Sequence, residues 1–396
     1  MVEQSTLLIK NIQEAYLPEE VIKNASVISE NGKITQILTQ EQATNLSFSG
    51  KVIDAEHKLK LLPGFIDGHI HGGYGVDIMD ATPETLQTLA DKLPSEGTTS
   101  YLATTITQSE EEISNALKNV AAWTAGGQKS GADLVGVHLE GPFVEVSKAG
   151  AQPKQYITEP DLAKFLAWQD DANGQIRTIT MAPEHDKTGK FIETLNQSGV
   201  NVSAGHTDAS FQQIKDATKL GVRQLTHLCN AMNGIHHRDI GAVGASFQLE
   251  DLRAELISDG IHVVPEMLQL IFDNVGSDRI IMITDAMRAK GLDEGEYELG
   301  GQPVFVKNGE ATLDNGSLAG SILKMIDAVK MMLKLDGVTL QDIVKMNAVN
   351  PAKQVGIFDR KGSVEVGKDA DFVLLDEQMD IAYTVCKGEV VYQDGK

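Results

Sequence analysis

Cysteine is almost missing: Cys229 and Cys386 are the only two in 396 residues. Two thiols cannot staple a framework, so a disulfide-held fold is excluded and a reducing compartment is the natural setting. Positive charge is also scarce. Lys and Arg number 34 against 56 Asp and Glu, and the formal net charge of −22 argues against nucleic acid or an anionic membrane as partner. Any anionic ligand must be met by a few local cations. No run of 18 apolar residues occurs, and the opening MVEQSTLLIK lacks a basic stretch followed by an apolar one. A soluble, cytoplasmic protein is therefore expected. Fixed-period repeats and low-complexity tracts are absent as well, and 41% hydrophobic content suffices for a real core.

What the chain does contain changes texture twice. Residues 5–60 alternate short β-rich runs with turns, VISE and KITQIL being joined across Asn31-Gly32, a hairpin signal. From about 61 to 350, apolar runs of four to eight residues alternate with amphipathic helical patterns, which implies βα units and a parallel sheet. Thr82-Pro83, Ser109 with Glu112, and a start near Asp208 open three of these helices. Strands are expected at 61–71, 98–105, 134–140, 177–183, 200–206, 222–227, 254–260 and 279–285, the count of a (β/α)8 barrel. A Gly-rich insertion follows at 286–320, with a hairpin turning at Asn308-Gly309. β texture returns after 355 and turns at Lys387-Gly388. The expected architecture is thus a TIM-like barrel over 61–354, with 1–60 and 355–396 packed together as a small β-sandwich domain, since neither end alone has strands enough to bury a face.

The chemistry collects at strand ends. LLPGFIDGHIHG (61–72) closes on His69 and His71, and residues two apart in a strand share one face, so both imidazoles aim at one point. Alone, the pair could equally be one core histidine with an exposed neighbour. Glu140, His206 and His227 end the third, fifth and sixth strands, His262 follows the seventh and Asp285 ends the eighth. In this architecture the C-terminal rim holds the active site, and core packing gives histidines no reason to gather there. Glu140, His206 and His227 make three ligands with an open position, the pattern of a catalytic zinc-like centre. His69 and His71 could hold a second ion with Glu140 bridging. Asp285 suits a general base that takes a proton from water and returns it to a leaving amine, or it caps the helix after strand eight. His57, His185 and His236 read as surface or structural histidines, and Cys229 as a small packed hydrophobe.

PGFIDGHIHG, HLEGPF (138–143), SAGHT (203–207), THLCNAMNG (226–234), SDGIH (258–262), TDA (284–286) and LAGS (318–321) resemble the signature segments of the N-acetylglucosamine-6-phosphate deacetylase family, in the amidohydrolase superfamily. The resemblance spans nearly the whole chain. It implies hydrolysis of the acetamide of a 6-phosphorylated amino sugar, with Glu140, His206 and His227 on the principal metal, His69 and His71 available for a second, and Asp285 as acid/base. The ion would be zinc, iron, manganese or cobalt. By the same likeness His262 and Asp259 meet the sugar or polarise its carbonyl. Asn230, backbone at Ala231, Arg238 and His237 meet the phosphate, His237 from the partner in a homodimer. Ala151, Gln152, Leu318, Ala319 and Gly320 line the sugar site. Gln152 stands where relatives usually carry histidine, and an amide cannot titrate. Without the family, Arg238 reads as a surface ion pair with Asp239.

Three readings compete with this one. The galactosamine epimer could be the substrate. A dihydroorotase-like cyclic amidohydrolase would use a carboxylated lysine as bridging ligand, yet no lysine ends any of the strands. A silent sugar-phosphate sensor would have no need of a full ligand set with Asp285.

Overall fold

The computed structural model describes residues 6–44, 46–127 and 130–395. Eight parallel strands form one sheet: β1 (Phe65–Ile70), β2 (Thr98–Thr105), β3 (Asp133–Glu140), β4 (Ile176–Met181), β5 (Asn201–Ala204), β6 (Val222–Leu225), β7 (Arg253–Ile257) and β8 (Ile280–Ile283). Each pairs with its neighbour in sequence. The ends of the sheet meet where Ile70 bridges Ala286, with Asp285 N donating to His69 O at 2.8 Å, which closes the barrel at the rim that carries the site.

The expected first strand divides. Lys60–Pro63 pairs antiparallel with Phe372–Leu375 in a second sheet, and only Phe65–Ile70 enters the barrel. Gly64 sits at the break, where a Cβ would stand 2.1 Å from Thr99 Oγ1, so only glycine lets the chain pass so close to β2. That second, eight-stranded sheet draws strands from both ends of the chain and wraps a core of its own, including Ile9, Ile34, Leu61, Phe372 and Leu374. Its hairpins turn at Asn31-Gly32 and Lys387-Gly388, both residues of each pair having positive φ, as a tight right-twisting turn requires.

Helix starts follow their caps. Thr82 and Ser109 cap Pro83–Lys92 and Glu110–Ala125. The helix expected near Asp208 begins later, at Phe211, because Ser210 and Gln213 form the capping box there. The Gly-rich insertion is a three-stranded sheet, not a lone hairpin: Gly295–Leu299 precedes Gln302–Lys307 and Glu310–Thr312, and turns at Gly300-Gly301. Two glycines in succession, φ 60° and 81°, permit that turn.

One buried cluster fastens barrel to terminal sheet. Lys361 Nζ lies 2.5 Å from Asp371 and 3.2 Å from both Asp133 and Asp369, and Asp133 opens β3. Burial raises the Asp133 carboxyl, but Lys361 and Lys387 outweigh it and hold it below the usual range. Such a depressed carboxyl stabilises the fold above the unfolded value of about 3.9 and ceases to do so as pH falls through the folded one. Lys361→Ala is expected to cost about 3 kcal/mol or more by stranding buried carboxylates. Urea unfolding at neutral pH reads this; an unchanged midpoint would mean the cluster holds nothing together.

Candidate active site and metal centre

Glu140 is the last residue of β3, while His206, His227 and Asp285 each follow their strand by two residues. These three have left-handed backbones, φ 47°, 33° and 48°. A non-glycine residue held so costs of order 1–3 kcal/mol, strain that persists where surrounding structure over-determines it. The chain spends it here to turn the side chains over the barrel mouth.

There the groups converge. His206 Nε2 and His227 Nε2 each lie 3.3 Å from Glu140 Oε1, and 3.1 Å from one another. Three atoms bonded at 2.0–2.1 Å to one tetrahedral ion stand about 3.3 Å apart, so the spacing suits a shared centre. A second group adjoins it. Asp285 Oδ1 is 3.5 Å from His69 Nε2 and 3.3 Å from His71 Nε2, and Glu140 Oε2 is 3.3 Å from His71 Nε2. Glu140 therefore stands between the two groups, its Oε1 also 3.5 Å from His69 Nε2.

The field of the site favours positive charge. Burial opposes protonation of His69, yet Asp285, Glu140 and Glu255 overcome it and lift its pKa to about 9. Asp285 is likewise penalised by burial but held below its usual range by His69 and His71. Buried imidazoles that would keep protons in such surroundings sit where a metal cation would be held more strongly. Cys229 takes no part: burial pushes its thiol up to about 12, and it packs against the barrel core.

The converging side chains are held from behind. His206 Nδ1 is 2.8 Å from the Lys148 carbonyl, which fixes the ring and leaves Nε2 for the centre. Gln152 Nε2 donates to Glu140 Oε2 at 2.6 Å and its Oε1 accepts from Thr107 N at 2.9 Å, so both ends of its amide are engaged within the protein. Three inward groups escaped sequence reasoning. Asp67 joins β1 to β8 by accepting from Thr284 Oγ1 at 2.6 Å. His138 stands beside His69 and contacts Thr180 Oγ1 at 2.7 Å; burial, then His69, holds its pKa well below the usual value. Glu255 contacts His69 Nδ1 at 3.1 Å. Asp67 and His138 precede His69 and Glu140 by two, so the strand period alone puts them on the ligand-bearing faces. Glu255 carries no such signal.

A pocket of about 360 Å³ opens over these side chains, the range of small-molecule sites. Ala151, Gln152, Asn230, Ala231, His262, Leu318 and Gly320 line it, together with His71, Glu140, His206, His227 and Asp285. Leu299, on the strand the sequence did not reveal, lines it too. Asp259 stands behind His262, its Oδ2 2.6 Å from His262 Nδ1, which directs that carboxylate to orienting the ring. Ala319 is fully buried beneath the insertion sheet. His237 and Arg238 lie apart, lining a separate surface pocket with Ser210 and Phe211. Arg238 NH1 donates to His237 Nε2 at 2.8 Å, whereas Asp239 accepts from the Phe211 and Gly241 amides, so the surface pair with Asp239 is not formed.

Comparison with known proteins accords with this geometry. The amidohydrolase family model matches residues 61–391. The N-acetylglucosamine-6-phosphate deacetylase of Bacillus subtilis (strain 168) is 47% identical over 98% of this chain and 97% of its own length, and that of Lysinibacillus sphaericus is 42% identical over 98% of both. The crystal structure of the Pasteurella multocida N-acetylglucosamine-6-phosphate deacetylase superposes with a TM-score of 0.90 at 29% identity, covering 97% of this chain and 99% of that one. Matched from end to end, the chain belongs to the N-acetylglucosamine-6-phosphate deacetylase family of amidohydrolases.

Proposed function

We propose that this chain hydrolyses N-acetyl-D-glucosamine 6-phosphate to D-glucosamine 6-phosphate and acetate. The observation that carries the reading is Glu140, His206 and His227 meeting at ligand spacing with Asp285 beside them under one pocket. These residues would hold one divalent ion, and His69, His71 and Asp285 a second with Glu140 between. Zinc, iron, manganese and cobalt all suit the donors. A bound ion supplies Lewis-acid polarisation of the acetyl carbonyl and lowers the pKa of water to about 7.

The chain's residues do the rest. Asp285 accepts a proton from water as its oxygen bonds to the carbonyl carbon. It then returns that proton to the amide nitrogen as the C–N bond breaks, so acetate and a free amine leave. His262, its Nδ1 engaged by Asp259, presents Nε2 to the substrate carbonyl or a hydroxyl. Gln152 steadies Glu140 through one N–H and lines the pocket where the sugar would lie. Asn230 and the Ala231 backbone meet the phosphate from within the pocket. Arg238 and His237, facing outward, would reach it from a second copy of the chain, which makes the working unit a homodimer. Two free thiols and a phosphorylated sugar substrate suit the cytoplasm.

Acetate release from N-acetylglucosamine 6-phosphate and its galacto epimer, beside ring opening of dihydroorotate to carbamoyl aspartate, tests the reading. The gluco substrate is expected to turn over fastest; binding without turnover would mark a sensor, and dihydroorotate alone would mark a cyclic amidohydrolase. Arg238→Ala is expected to raise KM roughly 10- to 100-fold with kcat little changed, the loss of one charge-assisted contact to phosphate. An unchanged KM would remove Arg238 from the phosphate site.

A further inference from the structure

Glu255 lies in the interior of the barrel, 2% exposed, where a carboxylate needs partners. Its Oε2 is 3.1 Å from His69 Nδ1 and accepts from the His227 backbone amide at 3.3 Å. Its Oε1 accepts from Gln224 Nε2 at 2.5 Å. His69 Nε2, in contrast, is buried with no hydrogen-bond partner among the described residues, and stands 3.5 Å from both Glu140 Oε1 and Asp285 Oδ1. One ring nitrogen is engaged and the other is free and directed at the ligand cluster.

We infer that Glu255 is a positioning residue that commits His69 to the tautomer with its proton on Nδ1, so that Nε2 is a ligand, and that filling of the second ion site depends on it. The inference deepens the two-ion reading of the site and rests on it.

What holds Glu255 supports the assignment. Arg253 NH1 donates to Gln354 Oε1 at 2.5 Å, Gln354 donates to Asn201 Oδ1, Asn201 Nδ2 donates to Gln224 Oε1 at 3.1 Å, and Gln224 donates to Glu255. Every amide accepts on one side and donates on the other, so the chain runs one way, from a guanidinium at the start of β7 up to the carboxylate. Aligned donors of this kind polarise one another and strengthen the last acceptor. Its Oε2 then faces His69 Nδ1. Glu255, His69 and His138 could be taken for an ion site themselves, but both Glu255 oxygens already accept hydrogen bonds from Gln224 and the His227 amide.

Glu255→Gln changes one charge and almost no volume. Zinc or cobalt bound per chain after dialysis against graded free metal is the readout, with apo-protein melting to confirm folding. Wild type is expected to hold two ions; the variant should keep one as tightly and bind the other roughly 10- to 100-fold more weakly. In a His69→Ala background the same substitution should add no further loss. Two ions held at wild-type affinity in Glu255→Gln would overturn the inference alone, whereas a wild type that takes only one would overturn the two-ion reading with it. A measurement without any variant stands beside this: in the zinc-loaded wild type, nitrogen-proton correlation should place the His69 ring proton on Nδ1, and a proton on Nε2 would overturn the assignment.

Discussion

Asp285→Asn is expected to lower kcat by roughly 10²- to 10⁴-fold, the span of a lost general base, while the ion at Glu140, His206 and His227 stays bound. The asparagine keeps the volume and an acceptor oxygen, so the turn at φ 48° and the backbone bond from Asp285 N to His69 O remain. It loses the ability to take a proton from water and hand it to nitrogen. Because Asp285 Oδ1 also sits 3.3 Å from His71 and 3.5 Å from His69, the second ion should weaken in parallel. KM for the phosphorylated sugar should change little, since phosphate and hydroxyl contacts lie elsewhere. Near-normal kcat in this variant would remove Asp285 from acid/base duty and leave it a structural cap.

Glu140→Gln is expected to be as damaging to turnover but for a different reason. Glu140 is the residue common to both groups, Oε1 within 3.3 Å of His206 and His227 and Oε2 within 3.3 Å of His71. Losing its charge removes the anion on which four imidazoles converge, so both ions should be lost at metal levels that saturate wild type. Activity should fall to background and excess metal should restore little of it. Elemental analysis separates the two variants: Asp285→Asn retains an ion and is slow, Glu140→Gln retains none. If Glu140→Gln kept both ions, the carboxylate would not be a ligand.

Much of this site could be read from the chain before any coordinates, for physical reasons that also explain the misses. βα alternation has two clear periods, and in a barrel the C-terminal ends of strands converge, so Glu140, His206, His227 and Asp285 declare themselves by position. Asn-Gly and Lys-Gly turns declare the hairpins. Strand ends are vaguer: the apolar run from Leu61 continues through Gly64, and only the close approach of Thr99 splits it between two sheets. Glu255 escapes because one carboxylate inside AELISDG has no local partner; Gln224, Asn201 and His69 come from three other strands. Leu299 escapes because GEYEL is polar and half-exposed, its role arising only when the insertion folds back over the mouth. Arg238 is legible as a cation but not as to which pocket it lines, since nothing in HHRD separates the surface pocket from the one over the barrel mouth.

Anomalous diffraction from crystals grown with zinc measures the central claim most directly. A peak is expected within about 2.0–2.2 Å of Glu140 Oε1, His206 Nε2 and His227 Nε2 together. A metal-saturated, active crystal with no peak at that shared point, or with one bonded to other residues, would contradict it.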